Sequence, residues 1–335
     1  MTSRPFPPDP APAPPPANLL RRVWRRLYWA PEDLRLRRQY RGARHLVYFG
    51  GDGIGDELLL TTVLHELRGR GATGLGVMTR FPELFERSPD VDRVLPMRHD
   101  QVAGLRRIGR RVDQVVYING QLPPDIDVPP ATHIVAEMCR RAGISGSVSL
   151  RPYLWLQNEE AEWAARHRGA IAIQSSRRSA SLAIGNKEWQ AERFQEVVDL
   201  LRRDHPVVQV GLPQDPPLEG VTDLRGRTTL RQTAAILSQA RAFIGLVGFL
   251  MHLARAVDCP AVVIYGGREH PDQSGYIANE NLFTALPCAP CWRWNSCDFH
   301  HRCMTEITAA DVHKALQRLI ARHGHPLAEA RLNLP

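Results

Sequence analysis

A carboxylate at the start of a helix is the first residue of this chain with both the position and the chemistry of a catalyst. Residues 45–71 read HLVYFGGDGIGDELLLTTVLHELRGRG, in which an apolar run at 45–50 leads into four glycines within positions 50–55. Apolar residues at helical spacing then fill 57–68, so Asp56 stands where a helix begins. Open α/β domains bind ligands at the carboxyl ends of their strands. Asp56 is therefore a candidate general base that points into a cleft.

Two other interpretations of this glycine-rich turn stay open. Asp56 can serve only as a helix N-cap, a role worth about 1 kcal/mol, and this stretch alone favours that role. The turn can also bind a dinucleotide, but GGDGIG matches the G-x-G-x-x-G pattern only when the frame is shifted. The carboxylates of Asp52 and Asp56 would repel a pyrophosphate, so NAD binding is the weaker alternative.

Hydroxyl groups and a lysine in the second half have the chemistry that binds a diphosphate. Ser175 and Ser176 follow an apolar strand, and Lys187 precedes a predicted helix within NKEWQAERF at 186–194. Hydroxyl donors and an ammonium group near a helix start suit phosphate oxygens. The alternative is a surface lysine beside a packed Trp189.

A histidine in the first turns of another helix is a further candidate. His252 lies within FIGLVGFLMHLARAV at 243–257, where a strand runs into the turn at Gly248. The N-terminal dipole of the helix that follows favours an anion. The alternative is a buried histidine bonded to the backbone. Another glycine loop, GGRE at 266–269, follows the next strand.

Four cysteines between 288 and 303, which we call the cysteine-rich loop, have the composition of a metal site. Their spacing is C-x2-C-x5-C-x5-C, and the opening C-x2-C is a usual half-site for zinc or iron. Such a site would be structural, because four thiolates leave no open position. Free thiols and two disulfides are the alternatives, while the isolated Cys139 and Cys259 are expected in the core. The predicted ligands are Cys288, Cys291, Cys297 and Cys303, with His300 and His301 as spare candidates.

Length and charge restrict the class of protein. The 335 residues suggest two domains of ordinary size, and the net charge of +8 suits an anionic partner such as a nucleotide, a phosphorylated glycan or an acidic membrane face. No recognition motif for nucleic acid is present, so no nucleic acid partner is expected. No apolar run is long enough for a transmembrane helix, and the N-terminus lacks the apolar core of a signal peptide. We therefore expect a cytoplasmic protein.

An alternation of apolar strands and helices runs through the chain twice, from 45 to about 150 and from 170 to 265. This rhythm predicts mostly parallel sheets that are covered on both faces. The expected fold is α/β, with two such domains in tandem and the ligand site in the cleft between them. We expect an N-terminal domain at 45–155, a C-terminal domain at 156–307, and a terminal helix and tail at 308–335 that is loose after His323.

The N-terminal flank divides into two parts. Residues 1–17 are proline-rich and are expected to be disordered. Residues 18–44 are dense in arginine, with leucine and aromatic residues interleaved. This basic amphipathic segment suits an anionic membrane surface, which would place the protein peripherally at the inner membrane. It is equally suited to pack against the first domain or against a sister subunit in a homo-oligomer.

Four stretches in one order together resemble glycosyltransferase family 9, the ADP-heptose:lipopolysaccharide heptosyltransferases and their relatives. The similarity covers roughly residues 45–320 and implies a GT-B fold, in which two Rossmann-like domains face a central cleft and the second holds the nucleotide sugar. The stretches are IGDELLLTTVLHELR at 54–68, NKEWQAERFQEVVDLL at 186–201, LRGRTTLRQTAAILSQARAFIG at 224–245 and MHLARAVDCPAVVIYGG at 251–267.

The resemblance also implies roles for single residues. Asp56 matches the family's proposed catalytic base, in an inverting transfer that needs no metal for its chemistry. Ser175, Ser176 and Lys187 match positions that hold the donor phosphates, and Asp215 loosely matches the acidic residue that binds the ribose. The autotransporter heptosyltransferases, which resemble this chain in their cysteine-rich loop, bind iron through four cysteines.

One departure from the family concerns the donor sugar. The family usually carries Asp-Ser/Thr-Gly five residues before its histidine, and the aligned residues here are Val247, Gly248 and Phe249. Gly248 and His252 remain candidate donor contacts, but the carboxylate that touches the sugar is absent. A site that loses such a polar partner discriminates strongly against the original ligand. A changed or differently held sugar is favoured over an inactive site, because the base and the lysine remain.

The expected function is therefore an inverting glycosyltransferase. By resemblance it moves heptose from ADP-heptose, or a similar nucleotide sugar, to a lipopolysaccharide-type glycan or to a protein. The alternative is a non-catalytic GT-B scaffold that binds a glycan or a protein partner. A regulatory module whose fold is stabilised by a bound metal is a weaker alternative than either.

Overall fold

The computed structural model describes residues 18–117, 121–122, 125–176, 184–322 and 327–335, with side chains from Leu27 onward and not at 121–122. The proline-rich segment at 1–17, expected to be disordered, lies outside the described residues. The described part forms two α/β lobes. We call them the N-lobe and the C-lobe.

The N-lobe is built on a four-stranded parallel sheet in the order β3-β2-β1-β4. Every residue of β1 and β2 is buried, as expected for strands covered on both faces. A two-stranded antiparallel ribbon, β5-β6, follows β4. In chain order the elements are α1 (Asn18–Gln39), β1 (His45–Phe49), α2 (Ile54–Gly69), β2 (Leu75–Thr79), β3 (Arg93–Pro96), α3 (Val102–Arg107), β4 (Arg111–Val115), β5 (Gln121–Leu122), β6 (Ile126–Asp127), α4 (Ile134–Arg141) and β7 (Gly146–Ser149).

The C-lobe carries a six-stranded parallel sheet in the order β10-β9-β8-β11-β12-β13. Its elements are α5 (Asn158–Ala164), β8 (Ile171–Ile173), α6 (Ala191–Leu201), β9 (Val207–Gln209), β10 (Thr222–Asp223), α7 (Leu230–Gln239), β11 (Ala242–Leu246), α8 (Phe249–Ala256), β12 (Ala261–Gly266), α9 (Pro271–Ser274), β13 (Glu280–Phe283), α10 (Arg302–Thr305) and α11 (Ala309–Ala321), and a last strand is β14 (Arg331–Leu334).

Strand order places the candidate residues at two crevices. In the N-lobe the connections leave β1 toward β2 on one side and β4 lies on the other, so the turn after β1 opens at a switch point. In the C-lobe the corresponding switch lies between β8 and β11. The turns at 50–56 and at 174–176 therefore stand at the ligand-binding edges of their sheets, as the sequence predicts.

The two lobes share one hydrophobic core where α2 meets α8. The cluster includes Leu59 and Val63 of α2 together with Met251 and Leu253 of α8, all fully buried. Because this contact joins the helices that begin at the two crevices, it sets the distance between the candidate base and the C-lobe.

The C-terminal segment does not end in a loose tail, so that expectation is wrong for residues 327–335. Strand β14 pairs antiparallel with β7 of the N-lobe, with Arg331 opposite Ser149. The alternation of Leu332 and Leu334 is a strand signal, but four residues are too few to stand out in the sequence. The terminal helix α11 packs on α6, β12 and β13 of the C-lobe.

The basic N-terminal segment packs, in part, against the N-lobe. Leu36 and Tyr40 are fully buried there, and the Arg107 guanidinium lies 4.2 Å from the centre of the Trp29 ring. This confirms the packing alternative for the second half of α1. Leu27 and Leu34 remain exposed, and contact with a membrane surface or a sister subunit stays a prediction. Among the described helices none combines the length and the apolar character needed to cross a bilayer.

Candidate active site

Asp56 lies in the first turn of α2 and does not cap it. The N-cap residue is Gly53, which has no side chain to cap with, so the N-cap interpretation of Asp56 is wrong. The Asp56 carboxylate instead accepts a hydrogen bond of 3.0 Å from the hydroxyl of Tyr117, just beyond β4. A Cβ at Gly53 would collide with Oδ2 of Asp56, so a side chain at this position would displace the candidate base.

The surroundings of Asp56 shift its acidity toward neutrality. Burial raises the pKa of the Asp56 carboxyl to about 6, while the Tyr117 hydrogen bond and the Lys187 charge oppose that rise. The negative charges of Glu269 and Glu57 add to it. A carboxylate with this pKa is ionised at neutral pH and is basic enough to accept a proton during a reaction.

The turn that carries Asp56 faces the start of α8 in the C-lobe. A Cβ placed on Gly55 would lie 3.4 Å from Cα of Phe249 and 3.6 Å from Cδ2 of His252. Lys187, also of the C-lobe, lies near enough for its charge to lower the pKa of Asp56. The structure therefore brings the candidate base and the candidate phosphate-binding lysine together across the cleft.

Lys187 ends a short 3-10 turn, Gly185–Lys187, which the cysteine-rich loop holds in place. The Asn186 side chain donates to the carbonyl oxygens of Ser296 (2.9 Å) and Arg293 (3.3 Å), and its Oδ1 lies 2.8 Å from Nε2 of His301. The Lys187 side chain is only 12% exposed and forms an ion pair with Glu269. Lys187 is thus a largely buried cation, so the alternative of a surface lysine is wrong. Its neighbour Trp189 is packed in the core, as that alternative also expected.

The other predicted donor contacts are engaged inside the C-lobe. The Ser175 hydroxyl donates to the carbonyl of Pro216 (2.6 Å) and accepts from Nε2 of Gln209 (2.9 Å). The Ser176 hydroxyl donates to Glu188 (2.9 Å), and Oδ2 of Asp215 accepts from the amide of Leu212 (3.0 Å). These contacts shape the edge of the sheet, and direct contact with a donor stays a prediction for Ser175, Ser176 and Asp215.

His252 is buried at the mouth of the cleft, on the helix that Gly248 caps. Its Nδ1 lies 2.5 Å from the hydroxyl of Tyr276. The histidine is therefore buried, but its hydrogen-bond partner is a side chain and not the backbone. Burial lowers the pKa of His252 to about 3, so the ring is neutral. A neutral imidazole offers a donor hydrogen bond or an acceptor, but no charge, to a ligand.

Sequence reasoning did not assign several charged or polar residues to this site. The Glu269 carboxylate accepts from Nη1 of Arg268 (2.5 Å) and from the hydroxyl of Ser274 (2.9 Å), in addition to its ion pair with Lys187. Arg268 also pairs with Asp127 of the N-lobe. The sequence analysis noted the GGRE loop for its glycines, although the charged residues Arg268 and Glu269 in it could have indicated a site. The only sequence signal for Tyr117 is its position after an apolar strand.

Residues 154–298 match the family model described as Glycosyltransferase family 9 (heptosyltransferase). This segment is similar to glycosyltransferase family 9. A curated relative, lipopolysaccharide heptosyltransferase 3 of Escherichia coli, is 27% identical over 150 residues, which cover 40% of this chain and 43% of that protein. The match thus spans less than half of the relative's length.

Solved structures show that the GT-B fold extends beyond the matched segment. The E. coli ADP-heptose lipopolysaccharide heptosyltransferase II superposes with a TM-score of 0.63 at 17% identity, covering 84% of this chain and all of that one. The iron-containing dodecameric glycosyltransferase TibC from enterotoxigenic E. coli gives 0.62 at 17% identity, covering 83% of this chain and 76% of that one. The predicted α/β class and GT-B fold are confirmed.

Val247, where the sequence lacks the aspartate expected from the resemblance, is packed in the core. Val247 follows β11 and is 2% exposed within the hydrophobic core, so it presents no polar group to the cleft. Glu269 follows β12, the neighbouring strand, and brings a carboxylate to the same edge of the sheet. The C-lobe thus keeps an acidic group at this edge, on a different element.

The cysteine-rich loop contains four free, partly exposed thiols. Burial raises the pKa of the Cys303 thiol to about 11, and the neighbouring thiols of the loop add to that rise. In the described residues, no set of three or more His, Cys, Asp or Glu side chains is close enough to hold a metal ion. No disulfide forms among these cysteines, and Cys139 and Cys259 are buried in the core as predicted.

Proposed function

We propose that this chain is an inverting glycosyltransferase that moves a sugar from a nucleoside diphosphate donor to an acceptor hydroxyl. The observation that supports it most directly is that the Lys187 charge lies near enough to Asp56, across the cleft, to lower the pKa of that carboxyl. The N-lobe supplies a carboxylate whose pKa is raised to about 6, and the C-lobe supplies a buried ammonium group. These are the two charges that such a transfer requires at opposite ends of the reacting bond.

The proposed reaction is a single displacement at the anomeric carbon. Asp56 accepts the proton of the acceptor hydroxyl while that oxygen forms a bond to the anomeric carbon. The bond from this carbon to the diphosphate oxygen breaks, and its electron pair leaves with the nucleoside diphosphate. Lys187 stabilises the charge that develops on the departing diphosphate, and a contact that strengthens in the transition state accelerates the reaction. Attack from the opposite face inverts the anomeric configuration.

The functions of the similar proteins support a more specific proposal. The curated relative is a lipopolysaccharide heptosyltransferase, so we propose ADP-heptose, or a closely similar nucleotide sugar, as donor and a lipopolysaccharide-type glycan as acceptor. The buried valine at 247 favours a donor sugar that is held differently from that of relatives with an aspartate there. A protein acceptor is the runner-up.

Turnover by the purified chain tests this proposal. The protein is incubated with ADP-heptose and a panel of other nucleotide sugars, with and without core glycan acceptors, and release of nucleoside diphosphate is measured. Release from at least one donor, dependent on Asp56, is expected. If no donor is cleaved and no nucleotide binds, the non-catalytic scaffold becomes the better explanation.

The pKa of Asp56 predicts the pH dependence. The base must be ionised, so kcat/KM should fall by about tenfold for each pH unit below about 6. The Tyr117→Phe variant removes a hydrogen bond that lowers the pKa of Asp56, and the acidic limb should therefore move to higher pH. Initial rates between about pH 4.5 and 8, at acceptor concentrations well below KM, would measure the acidic limb for both proteins. A profile that is flat across pH 6 would contradict the assignment of Asp56 as the base.

We further propose that the cysteine-rich loop binds iron or zinc for a structural purpose. Its donor set, four cysteine thiols that influence one another's pKa, has the chemistry of such a site, although the described geometry does not bring three of them together. Bound metal would fasten the loop that holds Asn186 and hence the turn of Lys187. Anaerobically purified protein should contain about one metal ion per chain, and chelation should lower its melting temperature. Cys288→Ser should reduce the metal content, and metal-free wild type would refute the site.

A further inference from the structure

A row of buried charges of alternating sign crosses the cleft. Asp127 of the N-lobe pairs with Arg268, Arg268 pairs with Glu269, and Glu269 pairs with Lys187. Each of these side chains is almost completely buried. Arg268 is fixed further by a 2.9 Å hydrogen bond from its Nε to the carbonyl of Arg293 and by the Trp292 ring, 5.1 Å from the guanidinium carbon.

The position of Glu269 is determined independently of Lys187. Its Oε1 accepts from Arg268 and its Oε2 accepts from Ser274, so both oxygens keep a partner if the lysine leaves. Although burial opposes ionisation, the cations Lys187 and Arg268 hold the pKa of Glu269 at about 2. A buried carboxylate with these partners is a fixed negative charge, because its desolvation is offset on more than one side.

The same arrangement makes the Lys187 ammonium available for exchange. In the described structure its positive charge is compensated by Glu269, and a diphosphate must compete with that carboxylate for it. When Lys187 turns to a diphosphate, Arg268 and Ser274 still satisfy Glu269, so no buried charge is left without a partner. The exchange therefore replaces one anionic partner of the lysine with another at small net cost.

We propose that Glu269 is a positioning residue for the transfer: it holds the Lys187 ammonium beside Asp56 until the donor arrives and then releases it to the diphosphate. This role rests on the proposed function, because it presumes a nucleoside diphosphate donor. Glu269 does not touch the reacting atoms and acts through Lys187. Glu269 pairs with Arg268, and Arg268 pairs with Asp127 of the N-lobe. These ion pairs connect Glu269 to the lobe that carries Asp56.

The lysine content of the chain provides a direct test. Lys187 and Lys314 are the only lysines in the sequence, so protein labelled with ¹⁵N and ¹³C lysine gives two side-chain signals. In wild type, adding ADP should move the Lys187 signal and leave that of Lys314, which is exposed on α11. In Glu269→Gln the Lys187 signal should already be displaced before ADP is added. A Lys187 signal that is the same in Glu269→Gln and in wild type would overturn the proposal.

The pH profile separates positioning from a merely structural role. The charged and hydroxyl groups that act on Asp56 are Tyr117, Lys187, Glu269 and Glu57, and the Glu269 charge raises its pKa. Glu269→Gln should therefore shift the acidic limb of kcat/KM to lower pH and reduce kcat by up to about 100-fold, the loss expected when a catalytic group is misplaced. Glu269→Asp, which keeps the charge, should restore the position of the limb.

A matched control and a separate readout keep the outcomes distinct. Glu280→Gln removes a carboxylate of the same lobe that pairs with Arg318 and Arg322, away from the cleft, and should leave both the profile and the Lys187 signal unchanged. An active wild type whose limb does not move in Glu269→Gln would refute the positioning role and leave the transferase standing. If wild type neither binds ADP nor transfers a sugar, the proposed function fails, and an ADP-insensitive Lys187 signal then overturns the positioning role as well.

Discussion

The Asp56→Asn variant should lose sugar transfer almost completely, with kcat reduced by about 10²- to 10⁴-fold. The amide preserves the shape of the side chain and can still contact Tyr117, but it cannot accept the proton of the acceptor hydroxyl. Because Asp56 lies opposite Lys187 and does not hold the donor, the dissociation constant for ADP should change by less than about threefold. Transfer is measured by release of nucleoside diphosphate, and ADP binding by calorimetry.

Asp52 offers a matched control within the same turn. Its side chain is 93% exposed and pairs with Arg80 at the surface, where an ion pair contributes little to stability. Asp52→Asn removes the same charge from a position four residues earlier and should retain transfer within about twofold of wild type. If Asp56→Asn were as active as Asp52→Asn, another group would have to be the base, and the mechanism proposed for this cleft would be wrong.

The Lys187→Met variant should show the second large effect. Methionine fills a similar volume but carries no charge, so the departing diphosphate loses a cation in a site that is shielded from water. Removal of one such stabilising group lowers kcat by about 10²- to 10³-fold in well-studied enzymes, and we expect a loss of that order together with weaker ADP binding. The variant should fold, because Glu269 keeps its bonds with Arg268 and Ser274.

The other lysine provides the control for this variant. Lys314 is exposed on α11, and Lys314→Met changes the net charge by the same amount. Its kcat and its KM for the donor should match those of wild type when rates are measured at donor concentrations below and above KM. Lys187→Met with an unchanged KM and kcat would show that the ammonium does not contact the donor at all.

The architecture could be predicted because strong periodic signals determine it. The alternation predicted from 170 to 265 is observed as strands β8 to β12, with the helices α6, α7 and α8 between them. Apolar residues at helical or strand spacing, bounded by threonine or glycine, specify these elements locally.

The catalytic candidates were predictable only in part. Asp56 and Lys187 stand beside recognisable turns, so their positions at the sheet edges followed from the sequence. The partners that adjust their charges did not, because Tyr117, Arg268 and Glu269 meet them only through the tertiary fold. Nothing local distinguishes the glutamate of GGRE, which is buried among cations, from a solvated one. Pairings between distant segments of this kind are what a single sequence conceals most effectively.

Strand β14 has a consequence for how the protein is made. Its partner β7 lies far upstream, with Arg331 bonded to Ser147 across 184 residues of sequence. Ribosomes add about 5–20 residues per second, so β7 emerges on the order of ten seconds or more before its neighbour exists. Throughout that interval the edge of β7 presents unpaired peptide groups to the cell. The chain therefore most needs protection against aggregation during synthesis, after β7 has emerged and before β14 can pair with it.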